Sequence, residues 1–371
     1  MRRMYVWEHR NWPNFSWDGH VIATALGEAR RAQGLALGAV RAIGLAAQDA
    51  LVVDTLTDEI VNTSAIEGVV LDAASVRSSV VRRLGLDGIA SQALDRDAEG
   101  LAEMLLDATT NYLAPVTPER LWRWHSALFA SESGADWIGR WRDDSQGPMQ
   151  VVSGVYASAP RVHYEAPPAE RVPEEMELLC AWINSPPRAL DDGIVRSAIA
   201  HLWFLTIHPF EDGNGRIART LADLLLARDE QSPRRYISMS SQINADKAEY
   251  YRVVEATQAG SGDISNWLLW YLGAYRIAAE RTLHTIELTL KVKSYWEAHA
   301  GASVSERQRG VLQRYLAGDF EGFLNAKKYA KLAKVSVDTA ERDLKDLLEK
   351  GFIERNPGAG RNTSYDTRLG D

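Results

Sequence analysis

The stretch His208-Pro209-Phe210-Glu211-Asp212-Gly213-Asn214-Gly215-Arg216-Ile217-Ala218-Arg219 gathers an imidazole, carboxylates, two glycines and two guanidinium groups in one short segment. The apolar run before it, residues 199–207, predicts a buried helix, and residues 217–228, with Leu221, Leu224, Leu225 and Leu226, predict a second. The polar segment between them is therefore a loop that feeds a helix N-terminus, where free backbone N–H groups and the helix dipole favour a bound anion. Gly213 and Gly215 let the backbone approach a ligand and adopt positive φ. Arg216 and Arg219 share a face of the next helix and together can hold a polyphosphate. His208 suits the role of a base, since imidazole titrates near neutral pH. Asp212 is a hard oxygen ligand suited to Mg2+. Pro209 and Phe210 are expected to fix the loop's exit and pack beneath it.

Working outward, the 371 residues suffice for two or three domains and a sizeable core. With 46% hydrophobic and 25% charged residues the composition is that of an ordinary globular protein. A net charge of −8 argues against nucleic-acid affinity over the whole surface, so any DNA contact must be local. The single cysteine, Cys180, excludes an intrachain disulfide and fits a reducing, cytoplasmic location. The basic opening, Met1-Arg2-Arg3-Met4, has no apolar stretch behind it and is not expected to be a secretory signal. No segment reaches the roughly 18 uncharged apolar residues of a membrane helix, and no membrane partner is expected. The eight histidines show no paired metal spacing, so zinc is not expected.

Helical periodicity dominates residues 21–113, 174–183 and 246–298, which predicts a mainly α fold. Trp7, Trp12, Phe15 and Trp17 surround a turn-rich opening and read as core or subunit contacts. Between residues 146 and 164, the runs Gln150-Val151-Val152-Ser153-Gly154-Val155-Tyr156 and Arg161-Val162-His163-Tyr164 predict a β-hairpin, stopped by Ala166-Pro167-Pro168. Gly301-Ala302-Ser303-Val304-Ser305 marks a linker. Beyond it, helices near 306–316, 325–334 and 337–350, the last capped by Ser336, precede two short strands joined by Pro357-Gly358-Ala359-Gly360-Arg361. That pattern predicts a winged helix-turn-helix. The expected domains are an N-terminal helical region, 1–113, a catalytic core, 114–298, and the winged helix, 305–371.

The opening motif resembles the Fic family signature, His-x-Phe-x-(Asp/Glu)-Gly-Asn-Gly-Arg-x-x-Arg, at every fixed position. The resemblance implies a helical Fic core and an adenylyltransferase that moves AMP from ATP onto a Ser, Thr or Tyr hydroxyl of a target protein or of itself. It implies His208 as base and Asp212 as ligand of a magnesium ion on the α- and β-phosphates. Gly213, Asn214 and Gly215 would form the anion nest, with Arg216 near the β-phosphate and Arg219 near the γ-phosphate. A flap hairpin in Fic proteins lies over ATP, which assigns Val162, His163, Tyr164 and Glu165 to the nucleotide site. The nucleoside end needs an apolar, partly aromatic pocket, for which Tyr250, Tyr251 and Gln258 are the candidates. A Tyr-Tyr pair and a downstream amide recur in Fic relatives, the amide more often being Asn. Trp267, Trp270 and Tyr271 read instead as core.

Upstream, Thr63-Ser64-Ala65-Ile66-Glu67-Gly68 is similar to the family's inhibitory pattern, (Ser/Thr)-x-x-x-Glu-(Gly/Asn). Thr63, Glu67 and Gly68 fill its fixed positions, and Glu67 is expected to pair with Arg219 where the γ-phosphate would sit. Removal of AMP, with Glu67 positioning a water, uses the same residues and stays open, as does a DNA-binding regulator with a nucleotide-sensing Fic site. Phosphate transfer from reversed ATP is disfavoured, because Gly215 stands where that variant usually carries a bulky cation. Residues 301–371 hold 13 basic and 11 acidic side chains. Lys327, Lys328, Lys331, Arg342, Lys345, Arg355 and Arg361 are the candidates for phosphate contacts with DNA, against protein contacts as the alternative. A homodimer is expected, and the target protein is not legible.

Overall fold

The computed structural model describes residues 4–86, 96–132, 134–145, 147–153, 161–187, 191–318, 322–357 and 363–367. The chain divides into two compact units, Met1–Leu283 and His284–Asp371.

Among the described residues, the first unit is helical apart from one hairpin. Its helices are α1 (Gly19–Val40), α2 (Leu45–Ile66), α3 (Ala73–Arg83), α4 (Arg96–Thr110), α5 (Pro118–Leu128), α6 (Val172–Asn184), α7 (Gly193–Ile207), α8 (Asn214–Glu230), α9 (Met239–Ala245) and α10 (Lys247–Gln258). Strands β1 (Gln150–Ser153) and β2 (Arg161–Glu165) pair antiparallel between α5 and α6. The hairpin tip, residues 154–160, lies outside the described residues, as does Gln146. Every residue of α7 from 194 to 207 is buried, as expected of a helix that is apolar all round and therefore central. Asp192 starts it by accepting from the N–H groups of Ile194 and Val195. Arg30 of α1 spans that capping Asp192 (2.7 Å) and Asp229 in the last turn of α8 (2.8 Å), so α1 ties together the far ends of the central pair.

Helix α2 carries Thr63 and leads into Glu67 at its C-terminal end. Its buried Glu59 accepts from Ser238 Oγ at 2.7 Å and the Ser240 N–H at 3.0 Å, which locks α2 to the start of α9. Gly68, at φ +82°, ends the helix with a left-handed residue that any side chain would strain. Of the opening aromatics Trp7 is buried, its Nε1 donating to Glu165 O at 2.9 Å, while half-buried Trp12 and Phe15 meet Trp203 edge to face. Trp17 remains 40% exposed.

The break between the units falls inside the long helix α11 (Ser265–Ala298), whose periodicity runs through it without a signal. Residues 284–298, counted with the catalytic core by sequence, thus share the second unit. That unit holds α12 (Glu306–Leu316), α13 (Ala326–Ala333) and α14 (Val337–Glu349), then β3 (Glu354–Arg355) paired antiparallel with β4 (Tyr365–Asp366). Leu312, Leu324, Tyr329, Leu344, Leu347 and Phe352 form its core together with Tyr295 of α11. Ala302 and Val304, in the segment read as a linker, pack against that core. Ser336 caps α14, accepting from the Thr339 N–H at 3.2 Å, as predicted. The turn between β3 and β4, with Arg361, lies outside the described residues. Among the described residues, no helix is long and apolar enough to cross a membrane.

Candidate active site

The loop between α7 and α8 carries the motif. His208 ends α7 at φ 52°, ψ 58°, a left-handed conformation uncommon for a side-chain-bearing residue. Three contacts hold it there. Its own N–H donates to Phe204 O at 2.9 Å; Arg142 Nε donates to His208 O at 2.7 Å; and the Arg142 N–H donates to Pro209 O at 2.9 Å. The ring nitrogen Nδ1 lies 3.2 Å from Leu205 O. A carbonyl only accepts, so Nδ1 carries the proton and Nε2 keeps the lone pair. Burial, aided by the positive charge of Arg142, pushes His208 down to about 4, against the opposing pull of the Leu205 bond, Glu67 and Asp212. At neutral pH the ring is an unprotonated acceptor.

Two residues that the sequence reading did not single out shape this loop. Arg142, with a fully buried side chain, also donates to Pro167 O at 2.5 Å and Asp144 Oδ1 at 2.9 Å, so it joins the end of the hairpin to the His208 turn. His125 stacks on buried Phe210, with centroids 4.1 Å apart and planes within 5°. Its Nδ1 accepts from the Gly139 N–H at 2.9 Å, which leaves Nε2 to donate to Asp212 O at 3.2 Å. Arg142 lies outside any regular element and His125 on the buried face of α5, with no motif around either, and each reaches the loop from far away in sequence.

The nest itself is closed by Asn214, whose side-chain oxygen accepts from the Phe210 N–H at 3.0 Å and whose amide donates to Phe210 O at 2.8 Å. Gly213, at φ +79°, caps α8; a Cβ there would come within 2.6 Å of Leu128. At Gly215 a Cβ would fall 2.1 Å from Glu67 Oε1. The Glu67 carboxylate therefore rests on the first turn of α8, the place where a helix favours an anion.

Arg219 meets it from the same helix. Its Nη2 donates to Glu67 Oε1 at 2.7 Å and Thr63 O at 3.0 Å, while Nε donates to Thr63 Oγ1 at 2.7 Å. Burial works to raise the Glu67 carboxyl, but the charge and hydrogen bond of Arg219, with Arg216 and Lys247 behind them, outweigh it and hold the group below the ordinary carboxylate range. Nη1 of Arg219 and Nε of Arg216 are buried without a hydrogen-bond partner among the described residues. Each such atom costs free energy unless something accepts from it.

Asp212 is 67% exposed on its side chain; one oxygen accepts from the Gly213 N–H at 2.6 Å and the other lies 3.3 Å from Arg216 Nη2. Among the described residues no group of three or more His, Cys, Asp or Glu side chains is arranged to cage a metal ion. Helix α10 brings Tyr250, Tyr251 and Gln258 to the site, with their polar atoms already engaged. The Tyr250 hydroxyl is 2.9 Å from His201 Nε2, and buried Gln258 donates to Leu205 O at 3.3 Å, the same oxygen that meets His208. Tyr251 donates to Ile66 O at 3.1 Å and Lys247 to Ala65 O at 3.2 Å, capping the last carbonyls of α2. On the hairpin, Tyr164 is buried against Tyr5 and donates to Thr206 O at 2.5 Å. Val162 is 39% exposed, Glu165 accepts from Gln150 Nε2 at 2.9 Å, and His163 bonds to Glu255 and Ser153.

Burial also pushes His125 down to about 4 and His201 down to about 3. All three histidines, His208 included, are thus neutral in the folded chain, while in the unfolded chain they take up protons near 6.5. Their contribution to stability is full above pH 6.5 and is lost as pH falls toward 4. The urea midpoint is expected to drop steadily through that window. A midpoint that held level from pH 7 to about 4 would contradict the neutral assignment.

Residues 5–86 match a family described as a domain of unknown function, DUF4172, and residues 115–226 match the Fic/DOC family. The chain is 29% identical over 127 residues to protein adenylyltransferase fic-1 of Caenorhabditis elegans, covering 31% of this chain and 23% of that protein. It is 30% identical over 134 residues to protein adenylyltransferase Fic of Culex quinquefasciatus, covering 35% and 24%. The matched region thus spans about a quarter of the length of these relatives. Among solved structures, a Fic family protein from Desulfovibrio desulfuricans G20 superposes with a TM-score of 0.56 at 22% identity, over 96% of this chain and 98% of that one. A fragment of Fic-1 from C. elegans gives 0.54 at 21% identity, over 74% and 75%. These likenesses carry the fold.

Proposed function

Because this chain is a Fic/DOC family protein with an N-terminal DUF4172 region, we propose that it is a protein adenylyltransferase, moving AMP from ATP onto a Ser, Thr or Tyr hydroxyl of a target protein or of itself, and that Glu67 restrains it. One observation carries the reading. The Glu67 carboxylate sits in a helix-terminal anion site whose two arginines still have buried, unpartnered donors at Arg219 Nη1 and Arg216 Nε. The site is built to hold more negative charge than Glu67 brings, and a polyphosphate supplies it.

Transfer of this kind rests on positioning and charge stabilisation. The first N–H groups of α8 cradle phosphate oxygens, Arg216 holds the β-phosphate and Arg219 the γ-phosphate. His208 Nε2 takes the proton of the attacking hydroxyl. A single exposed carboxylate beside substrate phosphates is a usual way to hold Mg2+, and Asp212 fits it. Bound there, the ion would offset charge developing on the leaving pyrophosphate.

A lysate incubated with the chain and ATP labelled at either the α- or the γ-phosphate tests the reaction. Protein should retain the α label and lose the γ label, and Asp212→Ala should abolish the response to magnesium. Retained γ label would mean phosphate transfer, and an unchanged magnesium titration would remove Asp212 as ligand.

The second unit fits a winged helix-turn-helix, with Lys327, Lys331, Arg342 and Lys345 exposed on α13 and α14. A DNA role for residues 305–371 requires a salt-sensitive mobility shift of the full chain on genomic fragments. No shift would turn this unit to protein contacts, including those of the expected homodimer.

A further inference from the structure

The residues ahead of α1, the first half of α1, the end of α6 and α7 surround a cavity of about 420 Å³. None of the residues assigned to the nucleotide lines it. Four rings do, Phe15, Trp17, Trp182 and Trp203, backed by Ile22 and Ile199. Trp182 and Trp203 are tilted together with centroids 5.8 Å apart, and Phe15 meets Trp203 edge to face at 6.1 Å. Walls of this kind favour a flat ring, which stacks on one face and meets another by its edge. Small-molecule sites typically enclose about 300–1,000 Å³, so this volume suits two fused rings rather than a larger ligand.

Charge and hydrogen bonding on the wall narrow the class of ligand. Arg196 donates to Asp191 at 3.2 Å and Arg30 to Asp192 at 2.7 Å, so each of these carboxylates already faces a guanidinium. Arg196 also lies over the Trp182 ring, 4.3 Å from its centroid, and donates to Trp182 O at 2.9 Å. A charged ligand would therefore find no spare counter-ion here. One donor is left over. Trp203 is only 5% exposed, and its indole N–H is buried with no acceptor among the described residues. Indole nitrogen only donates, and a buried donor costs free energy until an acceptor meets it.

We propose that this cavity binds an uncharged bicyclic heteroaromatic molecule, whose ring-nitrogen or carbonyl acceptor takes the Trp203 N–H and whose rings pack among Phe15, Trp17 and Trp182. The site is separate from the one that would hold ATP. The proposal does not depend on the transferase reading, although the ligand would rest on α7, whose Phe204 carbonyl, next to Trp203, accepts from the His208 N–H.

The test titrates the full chain near neutral pH with quinoline, which is uncharged there, and with naphthalene, the same two rings without the acceptor, following each ligand by saturation-transfer NMR. Quinoline is expected to bind at least about tenfold more tightly, the worth of one hydrogen bond to a buried donor otherwise unmet. In Trp203→Phe the two should bind alike. Ala23→Phe, which fills the cavity from an exposed position on α1, should abolish binding of both, and saturating ATP should displace neither. Should Trp203→Phe fail to fold, the preference of the parent chain and the loss in Ala23→Phe decide. No binding of quinoline to the parent, equal affinity for the two ligands, a preference that survives Trp203→Phe, undiminished binding in Ala23→Phe, or displacement by ATP would each overturn the proposal, and none of these outcomes touches the transferase reading.

Discussion

Replacing His208 with alanine is expected to slow AMP transfer by about 10²–10⁴-fold while ATP binding persists, the usual loss when a positioned base is removed. The phosphates would be held by the first turn of α8, Arg216 and Arg219, none of which depends on the imidazole. The proton-bearing Nδ1 faces Leu205 O, so only Nε2 can accept the hydroxyl proton. Since burial and Arg142 keep the ring near 4, the acid limb of the rate profile should fall well below pH 6.5. His208→Asn guards against a trivial outcome, because asparagine tolerates the left-handed backbone better than alanine and still lacks a basic nitrogen. Quench-flow rates and equilibrium ATP binding separate the two effects. Transfer at the unaltered rate in both variants would remove His208 from the chemistry.

Glu67→Gly is expected to act in the opposite direction. The substitution releases one of the two bonds of Arg219 Nη2 and opens the space over Gly215 without replacing any residue of the nest, Asp212 or His208. If the Glu67 contact opposes the γ-phosphate by at least about 1.4 kcal/mol, transfer at fixed ATP rises 10-fold or more. Glu67→Asp should fall between, since its shorter arm reaches Arg219 poorly. Arg219→Ala also breaks the pair, yet it removes the γ-phosphate anchor and should not activate fully. Initial rates for the three variants decide the point: a Glu67→Gly chain no faster than the parent would make the end of α2 structural rather than inhibitory.

The parts of this site that were legible in sequence are those written in one short run. The left-handed Gly213 and the arginine pair follow from glycine and charge spacing between residues 208 and 219, whereas Gly215, expected to share that conformation, is helical and His208 takes it instead. Glu67 was legible only beside that run, as its complement, and it lies on Arg219 as expected. Arg142 and His125 were not, because a buried arginine and a buried histidine look like any others until the fold brings them 66 and 87 positions along the chain to His208 and Asp212. Tyr164 and Gln258 were noticed for the nucleotide, and the structure engages their polar atoms with α7 carbonyls. The break inside α11 left no trace in sequence, since a continuous helix keeps its periodicity whichever core each turn joins.

The central claim is that the site transfers AMP and that Glu67 blocks it. Intact-mass spectrometry of the Glu67→Gly chain after incubation with ATP and magnesium, beside the parent and the Glu67→Gly/His208→Ala double variant, tests that claim most directly. The account predicts mass additions of whole AMP units in Glu67→Gly, little in the parent and none in the double variant. Additions of phosphate, or an unmodified Glu67→Gly chain that also leaves added proteins unlabelled, would contradict it.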